Sequence, residues 1–223
     1  MIKSKRVALI YRAASLLFAI AGVLSLTGVF KGEFNANVLF YYTAQSNILA
    51  IILFVMLTGK TIAELRKSNR NSACFYPRFA LIVAINCMLT FVVFWVLLVP
   101  AMGDGGIPLW TFFNLSVHAV TPLLCLIDYL LFSQPRRMKY RDIYYTTIFP
   151  LLYSAFATIA GLLGHVFSYT PDGTPVRAPY FFLSFDAIGF SVFIYAGALL
   201  VFFMLIGHGL YFIDRKVRKP KSA

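Results

Sequence analysis

Acidic residues are scarce in this sequence, and charge of either sign is rare. The 223 residues include 8 Asp and Glu, and charged residues make up 13% of the chain, whereas 60% are hydrophobic. The mean hydropathy is +0.79. A soluble domain of this length cannot bury so much apolar surface inside one core. The composition therefore excludes an ordinary soluble domain and predicts a membrane protein.

Cysteine and histidine are also scarce, with three residues of each type. Cys74 lies in a predicted loop, whereas Cys87 and Cys125 lie inside apolar windows, and no CxxC pair is present. This pattern excludes a disulfide framework and any common cysteine-based metal motif. We predict no bound metal and no cofactor.

Long apolar runs are abundant. Six windows reach the roughly 20 residues that a helix needs to cross a hydrocarbon layer of about 30 Å. They cover residues 7–30, 38–58, 79–101, 110–132, 144–167 and 184–212. Each run is too continuous for the alternating pattern of a membrane β-barrel strand. The sequence therefore predicts an all-α polytopic membrane protein, a bundle of six transmembrane helices that forms one domain over residues 1–223.

The basic residues orient this bundle. Of 20 Lys and Arg, 17 fall on the side that holds both termini, and only Lys31 and Arg177 fall on the other. Arg12 lies inside the first window, where we expect its side chain to snorkel to the nearer surface. Tyr180 is expected in the aromatic belt at the membrane interface. The positive-inside rule then places both termini in the cytoplasm, in a cell membrane. Basic loops beside anionic lipid account for the net charge of +12, so we expect membrane lipids and no nucleic acid as partners.

A polar segment, YYTAQSN at residues 41–47, lies at the beginning of the second window. Thr43, Ser46 and Asn47 share one helical face through their spacings of three and four residues, whereas Gln45 points elsewhere. Unpaired polar groups are costly in lipid. These side chains therefore either form hydrogen bonds between packed helices or belong to a functional site.

The fourth window places a histidine near the same depth. His118 lies about 12 Å from the outer end of this window and Thr43 about 8 Å from the end of its own, at 1.5 Å per residue. Asn114 is one helical turn before His118 and is expected to partner an imidazole nitrogen. Pro122 leaves the His118 carbonyl without its usual helical donor. Asp128 is deeper and is expected either to pair with Arg136 or Arg137 or to cap contacts between helices.

Two motifs carry a resemblance. Tyr-Thr-x-Gln-Ser-Asn at 42–47, together with Leu-x-x-His-x-x-x-Pro at 115–122 followed by Asp-Tyr-Leu-Leu-Phe, is similar to bacterial six-helix membrane proteins. More distantly, the layout resembles the androgen-induced-gene family, whose eukaryotic members are multipass threonine hydrolases of fatty acid esters of hydroxy fatty acids. In that family a Thr early in the chain and a His in a later helix are essential. The resemblance implies this pair at Thr43 and His118.

The leading hypothesis is an intramembrane hydrolase of fatty acyl or other lipid esters. His118 would remove the proton of the Thr43 hydroxyl, and Gln45, Ser46 or Asn47 would donate to the oxyanion, with Asn114 supporting the histidine. Two other classes stay open: a small-molecule transporter or channel, and a haem protein with His118 and His165 as axial ligands.

Overall fold

Helices dominate the structure, a computed structural model that describes residues 2–67, 73–102, 108–134 and 138–217. Six helices are long and apolar enough to cross a membrane, and we number them helices 1 to 6. They are Lys5–Leu26, Tyr42–Arg66, Pro77–Ala101, Phe112–Phe132, Asp142–Leu162 and Ser191–Lys216. The predicted fold class, an all-α polytopic bundle of six spans, is confirmed.

Helices 3 to 6 contain breaks or changes of helix type. Helix 3 is α over Pro77–Val92, π over Val93–Leu98 and α again over Val99–Met102; helix 4 is α over Phe112–Leu115, π over Ser116–Val120 and α over Thr121–Phe132. Helix 5 divides into Asp142–Thr146 and Ile148–Leu162, and helix 6 changes from α over Ser191–Phe212 to π over Ile213–Val217. Short 3-10 helices cover Val29–Lys31, Ala36–Phe40 and Phe181–Leu183, and a short α-helix covers Phe185–Ile188.

Helix 2 begins at Tyr42 and not at residue 38, where the apolar window begins. Asn35 caps a separate 3-10 helix over Ala36–Phe40 by accepting a hydrogen bond from the Asn37 N–H. Tyr41 is extended and separates the two helices. A hydropathy window depends only on the side chains, so it does not detect this change of backbone geometry. Thr43 therefore lies in the first turn of helix 2, closer to its end than predicted.

Segment 163–190 folds back onto the bundle, at the end that the basic residues predict to face away from the cytoplasm and that we call the outer end. Helix 5 ends at Leu162 and helix 6 begins at Ser191, so both predicted windows extended into this segment. Strands Ser168–Tyr169 and Pro175–Val176 pair antiparallel within it. Gly161 permits the close packing, because a Cβ at this position would lie only 2.1 Å from the Arg177 carbonyl oxygen. Tyr41 also donates from its hydroxyl to the Phe167 carbonyl at 2.9 Å.

Arg12 does not reach the membrane surface, and the prediction that it snorkels is wrong. Its side chain is 1% exposed and binds Asp128, with Nε 2.8 Å from Oδ1. Arg12 also donates to the Thr61 hydroxyl at 2.9 Å. A buried charge is stable in lipid only when it is paired, and Asp128 supplies the opposite charge. The expected partners of Asp128, Arg136 and Arg137, lie outside the described residues.

Helices 1 to 4 form the packed centre of the bundle. Helix 1 packs against helices 2 and 4, and helix 3 packs against helices 2 and 4. Helix 6 is peripheral and contacts helix 3, the first turns of helix 5 and the 3-10 helix at Phe181–Leu183. Consequently Thr43 on helix 2 and His118 on helix 4 approach each other within the tightly packed part of the protein.

Candidate functional site

The side chains of Thr43 and His118 lie in contact near the outer ends of helices 2 and 4. Thr43 Oγ1 is 3.3 Å from His118 Nε2. Both residues are buried, with 9% of Thr43 and 8% of His118 exposed. The structure therefore brings together the two residues for which the sequence predicted catalytic roles.

The other imidazole nitrogen determines the tautomer of His118. Nδ1 lies 3.2 Å from the backbone carbonyl oxygen of Asn114. A carbonyl oxygen only accepts hydrogen bonds, so in the neutral imidazole Nδ1 carries the proton and Nε2 presents its lone pair. That lone pair faces the Thr43 hydroxyl. Nε2 is thus placed to accept the proton of the Thr43 hydroxyl, as a general base must.

Asn114 supports the histidine through its backbone and not through its side chain. We expected the Asn114 amide to bind the imidazole, but its Nδ2 donates to the Pro108 carbonyl at 2.7 Å. The Asn114 side chain therefore holds the loop at the outer end of helix 4. The four-residue spacing between Asn114 and His118 correctly indicated that the two residues are in contact, because this spacing also brings the Asn114 backbone carbonyl to Nδ1.

Two π segments surround His118. One contains His118 itself, and the Thr121 N–H bonds to the Ser116 carbonyl, five residues earlier. The other, on helix 3, presents Phe94, whose ring stacks on the imidazole with a centroid distance of 3.6 Å. Such π segments occur frequently at functional sites because they reposition side chains relative to an α-helix. Here they hold the imidazole between helices 2 and 3.

Pro122 explains why the backbone departs from α geometry at His118. Proline lacks the N–H that would bind the His118 carbonyl, and its ring would crowd that carbonyl. The indole N–H of Trp95 takes the place of the missing donor, at 3.1 Å from the His118 oxygen. The histidine is thus held at both its ring and its backbone.

The hydrogen bonds of the polar segment on helix 2 go mainly to neighbouring helices. The Ser46 hydroxyl pairs with the Thr90 hydroxyl of helix 3 at 2.8 Å. Asn47 Nδ2 donates to the carbonyl of Val117 on helix 4 at 3.0 Å, and also to the carbonyl of Thr43. Gln45 Nε2 donates to the Leu39 carbonyl. Of the predicted oxyanion donors, Ser46 and Asn47 thus hold helices 2, 3 and 4 together, whereas Gln45 bonds to the 3-10 helix before helix 2.

Tyr180 lies at the site, although the sequence alone had suggested a place in the interfacial aromatic belt. It lines the same two cavities as Thr43, close to the side chain and the backbone of that residue. Burial raises the pKa of Tyr180 to about 12, so the phenol is protonated at neutral pH. A helical window cannot reveal this contact, since it depends on how segment 163–190 folds back. The sequence signal that was available is the tyrosine in PYFF at residues 179–182, in the segment between helices 5 and 6.

Two cavities meet at Thr43. The outer cavity, of about 500 Å³, is lined by Thr43, Asn114, His118 and Tyr180 among others. The second cavity, of about 160 Å³, extends from Thr43 between helices 3, 5 and 6. Thr43, Phe94, Leu98 and Tyr180 line both. Thr43 therefore borders both cavities, one of which also contains His118 and Asn114 in its wall.

The haem alternative has little geometric support. An axial histidine needs a free ring nitrogen, but both nitrogens of His118 have hydrogen-bonding partners and Phe94 covers one ring face. His165 stacks on Phe40 instead, with a centroid distance of 4.0 Å. Among the described residues, no group of three His, Cys, Asp or Glu could hold a metal ion.

No family model matches the chain, and no match to it was found among curated proteins or solved structures. The resemblance to the androgen-induced-gene family therefore stays a prediction from the two short motifs. Composition and the six apolar helices support an integral, multipass membrane protein.

Proposed function

We propose that this protein hydrolyses esters carried by membrane lipids, with Thr43 as the nucleophile and His118 as the general base. The supporting observation is the orientation of the imidazole: Nδ1 faces the Asn114 carbonyl, and Nε2 faces the Thr43 hydroxyl. A threonine hydroxyl is a weak nucleophile until a base removes its proton. The observed separation of 3.3 Å is within the range seen for catalytic pairs without substrate.

The reaction proceeds in two steps. Thr43 Oγ1 attacks the ester carbonyl carbon while its proton passes to His118 Nε2; the bond to the alcohol oxygen then breaks, and His118 returns the proton to that oxygen. Water next attacks the acyl carbon while His118 Nε2 takes its proton; the bond from that carbon to Thr43 Oγ1 breaks, His118 returns the proton to Oγ1, and the fatty acid leaves. Within the described part of the chain, no carboxylate is hydrogen-bonded to His118, so we propose a dyad that the Asn114 carbonyl orients.

Tyr180 and the beginning of helix 2 are the proposed oxyanion donors. The Tyr180 phenol is protonated and lies against Thr43. Thr43 is in the first turn of helix 2, where backbone N–H groups have no intrahelical acceptor and the helix dipole favours negative charge. We propose these groups in place of Gln45, Ser46 and Asn47, whose side chains act between or within helices.

The surroundings of the site favour a lipid substrate. Thr43 and His118 are buried inside a bundle whose spanning helices are strongly apolar, and an ester with a long acyl chain partitions into the bilayer. We also propose that the protein resides in the cell membrane with both termini cytoplasmic, because of the asymmetry of its basic residues. The site would then lie in the outer leaflet.

Covalent labelling tests this proposal. A fluorophosphonate with a long alkyl chain should label the wild-type protein and Thr43→Ser, and should not label Thr43→Val, which keeps the shape of threonine but lacks its hydroxyl. Ser46→Ala serves as the matched control, since Ser46 also carries a buried hydroxyl on helix 2 but pairs with Thr90. Equal labelling of wild type and Thr43→Val would overturn the proposal. A transporter or a purely structural role of Thr43 predicts no labelling of any of these proteins.

A further inference from the structure

We infer that the cavity between helices 3, 5 and 6 binds the acyl chain of the substrate, and that this chain enters sideways from the bilayer between helices 5 and 6. The leaving alcohol then occupies the outer cavity beside His118. This inference rests on the proposed hydrolase function for the assignment of the two halves of the ester. The binding of an aliphatic chain in the cavity is a separate claim that does not need catalysis.

The position of His118 assigns the two halves. In ester cleavage the general acid must reach the alcohol oxygen as its bond to the carbonyl carbon breaks. His118 lines the outer cavity and does not line the inner one, whereas Thr43 lines both. An ester carbonyl at Thr43 therefore directs its alcohol oxygen toward the outer cavity. The acyl chain, on the other side of the carbonyl, continues into the inner cavity.

The walls of the inner cavity suit hydrocarbon. Leu89, Val93 and Phe94 of helix 3 face Leu199 and Phe203 of helix 6 across it. Polar side chains also line it, but their hydrogen bonds are made elsewhere: the Thr90 hydroxyl pairs with Ser46, and the Ser154 hydroxyl donates to the Pro150 carbonyl. A cavity with such apolar walls offers water few hydrogen-bond partners and accepts apolar ligands, as dry cavities of about 150 Å³ do.

The cavity opens toward lipid. Leu151 of helix 5 and Leu200 of helix 6 both line it, yet they are 55% and 40% exposed. Ala196, a small exposed residue one turn from Leu200, lines the same opening. Helix 6 packs against helix 3 and the first turns of helix 5, and beyond these contacts the cavity lies between residues 150–154 of helix 5 and 196–203 of helix 6. In a bilayer this gap faces acyl chains, which supply the occupant.

The length of the inner cavity predicts how turnover depends on the length of the acyl chain. On helix 3 the lining residues run from Leu89 to Leu98, a distance of about 14 Å along the axis at 1.5 Å per residue. The cavity is therefore long enough for several methylene groups of an extended chain. Each buried methylene contributes to binding, so turnover should increase from acetyl through octanoyl to palmitoyl esters of the same alcohol until the cavity is filled.

Two measurements test the inference. The first compares Ala196→Trp with the control Ala198→Trp, which lies on the same helix but outside the cavity lining. Ala196→Trp should lower the ratio of octanoyl to acetyl ester turnover by about tenfold, which corresponds to only about two buried methylene contacts. Ala198→Trp should leave the ratio unchanged. Identical ratios in both variants would overturn the inference.

The second measurement does not depend on catalysis or on a cavity variant. A photoreactive fatty acid with a diazirine on its chain should crosslink to residues 150–154 and 196–203 in Thr43→Ala protein. Crosslinks elsewhere, combined with ester hydrolysis by the wild type, would disprove the acyl cavity and leave the hydrolase intact. Crosslinks at these residues without any hydrolysis or fluorophosphonate labelling would support the cavity and disprove the hydrolase.

Discussion

The hydrogen bond between Thr43 and His118 is the contact on which catalysis would depend, and a double mutant measures whether the two residues act together. We expect Thr43→Ala and His118→Ala each to lower kcat by at least about 10²-fold, since general-base assistance alone contributes 10²–10⁴. The double variant should be no worse than the poorer single variant, because a nucleophile without its base already loses the shared mechanism. Turnover of a palmitoyl ester by protein of matched folded yield measures this. Additive losses, or activity equal to wild type in either single variant, would contradict a shared mechanism.

Tyr180 offers a second test at the level of one side chain. Removing one oxyanion donor costs about 10²–10³ in kcat, so Tyr180→Phe should lower kcat by roughly this factor with a smaller change in KM. The pKa of Tyr180 is raised from 10 to about 12 by burial, so the phenol stays protonated and able to donate as the pH rises through 10. The pH profile of the wild type should therefore show no loss of activity from this group below about pH 11. If Tyr180→Phe keeps full kcat, the oxyanion must be bound by other donors.

The ion pair of Arg12 and Asp128 connects helices 1 and 4 and, through Thr61, helix 2. Removing one partner leaves an uncompensated charge in the bundle. We expect Arg12→Met or Asp128→Asn to lower the free energy of unfolding by about 3–5 kcal/mol, and Arg12→Met/Asp128→Leu to recover most of the loss. Reversible unfolding in detergent measures this.

A partly exposed ion pair gives the matched control for that experiment. Lys60 and Glu64 are 3.3 Å apart on helix 2; Glu64 is buried and also pairs with Lys5, but the Lys60 side chain is 41% exposed. Lys60→Met should therefore change the free energy of unfolding by less than about 1 kcal/mol. Equal effects of Lys60→Met and Arg12→Met would mean that the buried pair contributes no more than a surface pair.

Helix 2 carries polar residues for two different purposes, packing against its neighbours and lining the cavities. Ser46 and Asn47 bind helices 3 and 4, and one turn earlier Thr43 faces the cavities. Interhelical hydrogen bonds of this kind contribute modestly to membrane-protein stability, but they determine the rotation of a helix about its axis. The packing interpretation and the catalytic interpretation of the polar segment therefore apply to different residues of the same helix.

The molecule as a whole presents an apolar surface, as expected when the solvent is lipid. Phe193, Ile194 and Val201 of helix 6 are all more than 60% exposed. Six spans place residues near both ends of the described chain on the same side of the membrane, and the basic residues cluster on that side. This distribution predicts the orientation through the positive-inside rule.

Cysteine labelling in intact cells tests this orientation. Gly173→Cys, in the hairpin turn of segment 163–190, should react with an impermeant thiol reagent, whereas Lys139→Cys, in the connection between helices 4 and 5, should react only after the membrane is opened. Both positions are exposed, so accessibility within the fold does not distinguish them. The opposite pattern of reactivity would reverse the assignment of the two faces.

Side-chain chemistry along the chain was enough to predict the fold class, the number of spans and the approach of Thr43 to His118 at one end of the bundle. These properties depend on local quantities: the apolar length needed to cross a bilayer, and the rise of 1.5 Å per residue. The role of Pro122 could also be predicted, because its missing N–H is a covalent fact. Residue spacing likewise indicated that Asn114 and His118 share a helix face.

Contacts between segments distant in the chain could not be predicted in this way. Arg12 was expected at the surface, because the sequence does not show that Asp128, 116 residues later, lies beside it. Tyr180 was expected in the interfacial belt, because only the folding back of segment 163–190 brings it to Thr43. The partners of Ser46 and Asn47 likewise depend on which helix faces which. Helix neighbours and rotations follow from packing among all the spans at once, and a single window of sequence carries no information about them.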